Sequence, residues 1–273
     1  MQPSRFALII CSPSEGDAYR LGTVLDTENL CNYLKTPRGG AWREEELLIL
    51  TDPIGEDVFA ILNDILVDYL LIYFSGHGGT SDGQRLLQFK DGLAIDWWFI
   101  AGASPRQLMI VDACRSELGA IGAIPSASEE WSSFTGESQA RLLMDHYILQ
   151  SPPGKLIIHS ASNGQEAFET TRQGGVFTYS LLQNATYMRT AHDFIPVRIQ
   201  QVLGEVKREL SGNSHQQRPV VAYAEGEMLV PFMISVPQLI EQQEPYPILN
   251  HRERMIAGIA LVVGIYHLLK RAS

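Results

Sequence analysis

Two short stretches carry residue types that can do chemistry. Tyr73-Phe74-Ser75-Gly76-His77-Gly78-Gly79 closes an apolar run with a histidine among glycines. Ile110-Val111-Asp112-Ala113-Cys114-Arg115-Ser116 closes another with an acid and then a cysteine. A thiol is a strong nucleophile only as its thiolate, and a nearby imidazole can take up the proton or stabilise the anion. The same imidazole can later protonate a leaving amine. Cys114 is therefore the candidate nucleophile and His77 the candidate acid/base. Glycines around the histidine let the backbone approach a substrate closely. The amides of Gly78 and Cys114 are candidates for an oxyanion hole, where one donor is worth roughly 3 kcal/mol. Taken singly, a cysteine at a strand end is more often a packing residue, and a histidine after a strand is often a polar turn residue. The matched placement of the two favours the chemical reading.

The elements that must position them follow from hydrophobic periodicity. Apolar runs at 6–11, 46–50, 69–74, 107–113 and 155–161 read as buried strands. Segments 17–36, 56–68, 174–188 and 196–210 read as helices, the first on an approximate stripe of Leu21, Val24, Leu25, Leu30 and Leu34. Residues 85–95 read as a hairpin turning at Asp91-Gly92. Residues 218–224 and 228–234, each with a nearby proline, read as edge strands. Strands alternating with helices imply a parallel α/β sheet, whose ligands sit at the carboxyl ends of the strands. Both His77 and Cys114 fall just past such ends. The connection 116–153 is long for a compact domain, so it is expected to be functional or disordered.

The chain has 273 residues, is 45% hydrophobic and carries 31 acids against 21 bases, a formal charge of -10. That size suits one α/β domain, and the acidic balance argues against a nucleic-acid partner. Cys11, Cys31 and Cys114 form neither a disulfide framework nor a zinc pattern. The apolar run Phe6 to Cys11 is too short for a signal-peptide core and is read as a strand. The organisation expected is a domain over 1–235, a linker over 236–250 and a hydrophobic C-terminal helix over 251–273. Within that helix, Met255 to Leu269 would span about 22 Å, short of the ~30 Å hydrocarbon core. Flanking Arg252, Arg254, Lys270 and Arg271 could snorkel outward, so a membrane tail anchor on a cytoplasmic domain is the preferred reading. A helix docking on a partner and a core helix are the alternatives.

The two motifs together resemble those of the caspase and metacaspase superfamily of cysteine peptidases. "YFSGHGG" is similar to the family's histidine motif, and "DACRS" to its cysteine motif, Q-A-C-[RQG]-G. His77 stands closer to Cys114 than the about 50 residues of the caspase pattern, and Ser116 replaces the motif's glycine. "RLGTVLDTENL" (20–30) and "ASNGQEAFETTRQGGVFTYSLL" (161–182) resemble the family's first-helix segment and the segment after its fifth strand. The resemblance covers about residues 5 to 234. It implies a caspase-like (caspase-haemoglobinase) fold, a mostly parallel central sheet flanked by helices. It also implies endopeptidase activity on protein substrates by a Cys114–His77 dyad.

Caspases cut after Asp, and metacaspases after Arg or Lys. The caspase pocket for Asp is a cationic cup, and its three positions fall here on Arg20, Asp112 and Glu169. With two of them acidic, an aspartate side chain would be repelled and a guanidinium would find carboxylates to bind. Cleavage after Arg, with Lys second, is therefore expected. Arg20 dissents: it would pair with Asp112 or Glu169 and fill the pocket, or point away from it. The bland readings are a strand-end acid capping nearby amides for Asp112 and a solvated loop acid for Glu169. Arg141, the one basic residue between Arg115 and Lys155, is the candidate internal processing site. No cofactor is expected. Some metacaspases need Ca²⁺, but no calcium-loop spacing is present. An activating partner protein and a role in regulated cell death or defence are expectations from the family and the tail. The competing classes are an inactive caspase-like scaffold, caspase-type cleavage after Asp, and a different cysteine hydrolase such as an amidase.

Overall fold

The computed structural model of the chain describes residues 2–14, 20–81, 84–92, 94–96, 102–113, 137–170, 173–188, 190, 192, 194–212 and 217–235. The chain divides into two compact units, 1–239 and 240–273. The expected C-terminal helix and its linker lie outside the described residues. Among those described, no helix is long and apolar enough to cross a membrane.

In chain order the strands are β1 (Arg5–Ser12), β2 (Leu47–Thr51), β3 (Tyr69–Gly76), β4 (Gly78–Ser81), β5 (Gln84–Gln88), β6 (Ala94–Asp96) and β7 (Arg106–Asp112). They continue with β8 (Gly154–His159), β9 (Glu169–Thr170), β10 (Gly174–Gly175), β11 (Pro196–Val197), β12 (Val220–Glu225) and β13 (Met233–Ile234). The helices are α1 (Leu21–Lys35), α2 (Gly55–Asp64), α3 (Glu137–Gln150), α4 (Val176–Tyr187) and α5 (Ile199–Ser211). A six-stranded sheet in the order β12-β8-β7-β3-β1-β2 forms the centre. All its pairs are parallel except β12 with β8.

Both faces of this sheet are covered, so its strands are apolar throughout rather than alternating. Ile9, Tyr73, Ile110 and Ile158 pack on one face with residues of α1, α4 and α5. Ile10, Phe74, Val111 and Ile157 pack on the other with Val58 and Leu62 of α2. The hairpin expected over 85–95 is β5 and β6, with Gly92 at φ 74 in the turn. β4 extends it to three strands, so the residue after His77 starts a second small sheet. One expected edge strand is β12. The other is largely absent, since only Met233–Ile234 pairs, and it pairs with β11. Pro231 in that stretch lacks the N–H a ladder needs.

Two buried polar clusters fasten helices to this frame. The first holds Arg141, the candidate processing residue. That residue is not displayed on a loop: it lies inside α3, buried, where residues 137–150 of the expected long connection are helical. Its guanidinium donates to the Glu46 carboxylate and to the Ala41 carbonyl at 3.0 Å. Arg5 shares Glu46 at 3.3 Å and stacks 4.7 Å over the Trp42 ring. The hydrogen bond it donates to Glu46 raises the Arg141 guanidinium above its ordinary value. Proteases cut exposed, extended segments, and this side chain is neither.

The second cluster corrects the stripe expected on α1. Its first two turns bury Gly22, Thr23, Asp26 and Thr27, while Leu21, Val24 and Leu25 are only half-buried. Asp26 accepts the Gly175 N–H at 2.7 Å and the Ser75 hydroxyl at 3.0 Å, joining α1 to β10 and β3. Burial, reinforced by the Asp112 charge, pushes its carboxyl well above the ordinary range.

Replacing Arg141 with Ala should lower stability by about 2 kcal/mol, read as a shift of the urea midpoint at unchanged slope. Native digestion with trypsin should leave the Arg141–Leu142 bond intact in the unmodified chain, and an early cut there would contradict the burial. For Asp26, the raised folded value means that its stability contribution is complete below the unfolded value of about 3.9. That contribution is lost as pH rises through the folded value. Asp26→Asn keeps the acceptor for Gly175, so its midpoint should gain on wild type as pH climbs above about 4. A difference that stays constant with pH would contradict a buried proton on Asp26.

Candidate active site

The parallel pairing of β3 and β7 sets the site. Their register runs to Ser75 opposite Asp112. His77 follows Ser75 by two positions in the sequence, and Cys114 follows Asp112 by two. Cys114 itself lies outside the described residues; the residue before it, Ala113, is buried against the α2 side of the sheet. His77 is the single residue between β3 and β4 and is half-buried. Its carbonyl accepts the Gln88 N–H at 3.0 Å, so β5 of the small sheet holds the histidine backbone. Gly78 starts β4 opposite Leu87. The second amide of the expected oxyanion hole, that of Cys114, is outside the described residues.

Asp112 points from the end of β7 toward the start of α4. Its Oδ2 accepts the Thr178 N–H at 3.3 Å and the Thr178 hydroxyl at 2.7 Å. The first amides of a helix have no partner within it and carry a partial positive charge, so this acid caps α4 from a neighbouring strand. The bland reading of Asp112 as a capping acid is thus part of what it does. Burial pushes its carboxyl up, and the hydrogen bonds of Thr178 pull it back. A side chain at Gly175 would collide with the Asp112 carboxylate, which is why α4 is preceded by glycine.

Glu169 on β9 is half-buried beside the same pocket rather than solvated. Burial raises its carboxyl, Arg20 opposes this, and Asp112 adds to it. A Cβ on Gly22 would stand 2.5 Å from Glu169 Oε2. The glycine of "RLG" therefore makes room for this acid against the first turn of α1.

Arg20 does not point away. It precedes α1 at only 6% exposure. Its Nε lies 3.2 Å from both His77 Nδ1 and His77 Nε2, and its Nη1 lies 3.9 Å from Glu169 Oε2. The structure thus gathers His77, Arg20, Asp112 and Glu169 at the carboxyl edge of the sheet. It separates Arg141 from them, in its own cluster with Glu46.

Sequence reasoning gave Asp26 no role. It was visible as an acid at helical spacing with the buried Leu30, Tyr33 and Leu34 of α1. An acid on a buried stripe needs donors, and the site supplies them through Gly175 and Ser75. Among the described residues, no group of His, Cys, Asp and Glu is arranged to hold a metal ion.

Comparison with known proteins matches this geometry to a family. The caspase-domain model of peptidase family C14 matches residues 4–228. The crystal structure of caspase-1 from Spodoptera frugiperda is similar to the chain with a TM-score of 0.50 at 19% identity, over 85% of this chain and 90% of that one. At that identity the likeness speaks for the fold, a mostly parallel six-stranded sheet flanked by helices. None of the curated proteins compared with the chain matches it. The match over most of its length shows that the chain belongs to the caspase-domain family of cysteine peptidases.

Proposed function

We propose that the chain is an endopeptidase that cleaves protein substrates after Arg, with Lys second, using Cys114 as nucleophile and His77 as acid/base. The observation that carries the specificity is the seat of Arg20. The acids at this sheet edge already accommodate a guanidinium beside His77, 3.9 Å from Glu169. Asp112 and Glu169 both interact with this one arginine, which supports a site that accepts cations rather than anions. A guanidinium offers several N–H donors in a plane and binds carboxylates better than an ammonium point charge does, hence Lys second.

The chemistry then runs in two stages. His77 takes the Cys114 proton, and the thiolate attacks the carbonyl carbon after the substrate arginine. The amides of Gly78 and Cys114 receive the developing oxyanion. The C–N bond breaks as His77 returns the proton to the departing amine, leaving a thioester. Water, deprotonated by His77, attacks the thioester, and the thiol leaves with the proton. A second reading, cleavage after Asp, is favoured by one observation: Arg20 stands where the resemblance puts a caspase-type arginine. The two acids at the other positions weigh against it.

Fluorogenic peptides ending in Arg, Lys or Asp separate these readings. Arg peptides should be cut fastest and Asp peptides not at all. Cys114→Ala and His77→Ala should each abolish turnover. Preferential cleavage after Asp would overturn the specificity, and failure to cut any peptide would favour a scaffold. Glu169→Gln should lower kcat/KM for Arg peptides about tenfold, mostly through KM.

A further inference from the structure

We propose that Arg20 is a built-in competitor: in the resting chain its guanidinium occupies the seat meant for the substrate arginine and ties up His77, and substrate must displace it. This rests on the arginine-directed reading above. A neutral imidazole has one nitrogen with a free lone pair, and the tautomer decides which. That lone pair lies in the ring plane, whereas Arg20 Nε stands 3.2 Å from both ring nitrogens at once, a position over the ring face. The guanidinium therefore covers the imidazole, and a cation held there opposes the positive charge the ring gains on taking the thiol proton. The same side chain reaches Glu169 through Nη1, so one residue blocks the base and the pocket together.

The Arg20 backbone is fixed. Its N–H donates to the Pro13 carbonyl at 2.8 Å, and its own carbonyl accepts the Thr23 hydroxyl at 2.9 Å. Displacement is therefore a side-chain rotation and needs no opening of α1. The exchange replaces one guanidinium by another over the same acids, so no buried carboxylate is left without a cation at its end. A pocket occupied most of the time by its own arginine raises the apparent KM by the inverse of the fraction of time it is free. Only substrates that bring an arginine of their own then release His77.

The test compares wild type with Arg20→Ala and Arg20→Gln in the full chain on Arg-ended peptides. Each variant should show KM for Arg-ended peptides lowered about tenfold. In the Cys114→Ala background, calorimetry with arginine amide should show tighter binding by a similar factor when Arg20 is replaced. Unchanged KM and unchanged arginine-amide affinity in folded variants would overturn the competitor while leaving the arginine-directed activity standing. A fall in kcat would instead make Arg20 a positioning residue for His77, which also overturns it. If wild type cuts only after Asp and the variants lose that cleavage, the arginine-directed reading itself fails. Should neither variant fold, a crystal structure of wild type bound to a peptide ending in an arginine aldehyde decides. The Arg20 side chain must have left His77; its persistence at both ring nitrogens overturns the proposal.

Discussion

Two buried carboxylates meet the start of α4, and that contact ties the site to the fold. Asp26, from α1, takes the Gly175 N–H, and Asp112, from the end of β7, takes the Thr178 N–H. Removing two carboxylates from water costs several kcal/mol per charge. The positive end of α4 and the hydroxyls of Ser75 and Thr178 offset part of that cost. The Tyr73 hydroxyl, 2.7 Å from Thr178 Oγ1, extends the network back into the central strand β3. Four elements are thus locked around the edge where β3 leads to His77 and β7 ends in Asp112.

The same carboxylates set the electrical character of the edge. Their burial raises the Asp26 and Asp112 carboxyls above their ordinary values. Glu169 then adds a third acid at the rim. Arg20 is the counter-charge among them and lies against His77 rather than in solvent. In the proposed reading, a field of this sign would repel an aspartate side chain and attract a guanidinium. The specificity argument and the state of the base are therefore one electrostatic problem: the cation that balances the acids is also the one that engages the imidazole.

The central sheet was legible from hydrophobic runs, because strands covered on both faces need apolar residues at every position. The place of His77 at the carboxyl edge was legible because it follows such a run. What the runs did not carry was tertiary in origin. The front of α1 buries Asp26 and Thr27 rather than its leucines, because it docks on the polar site and not on the core. Residues 228–234 look like a strand, but Pro231 limits them to a two-residue ribbon with β11. Arg141 looked like a loop arginine, since nothing local shows that Glu46 waits for it across the fold. The direction of Arg20 was likewise open in sequence, because its partners come from β9 and from the end of β3.

The measurement that most directly tests the account is covalent labelling of the active thiol. Two peptidyl chloromethylketones, one ending in Arg and one in Asp, are offered at equal concentration, and the adduct on Cys114 is followed by mass spectrometry over time. The account predicts that the Arg reagent alkylates Cys114 much faster, and that no adduct forms in Cys114→Ala. Faster labelling by the Asp reagent would contradict it, because the acids beside Arg20 would then not govern what the site accepts.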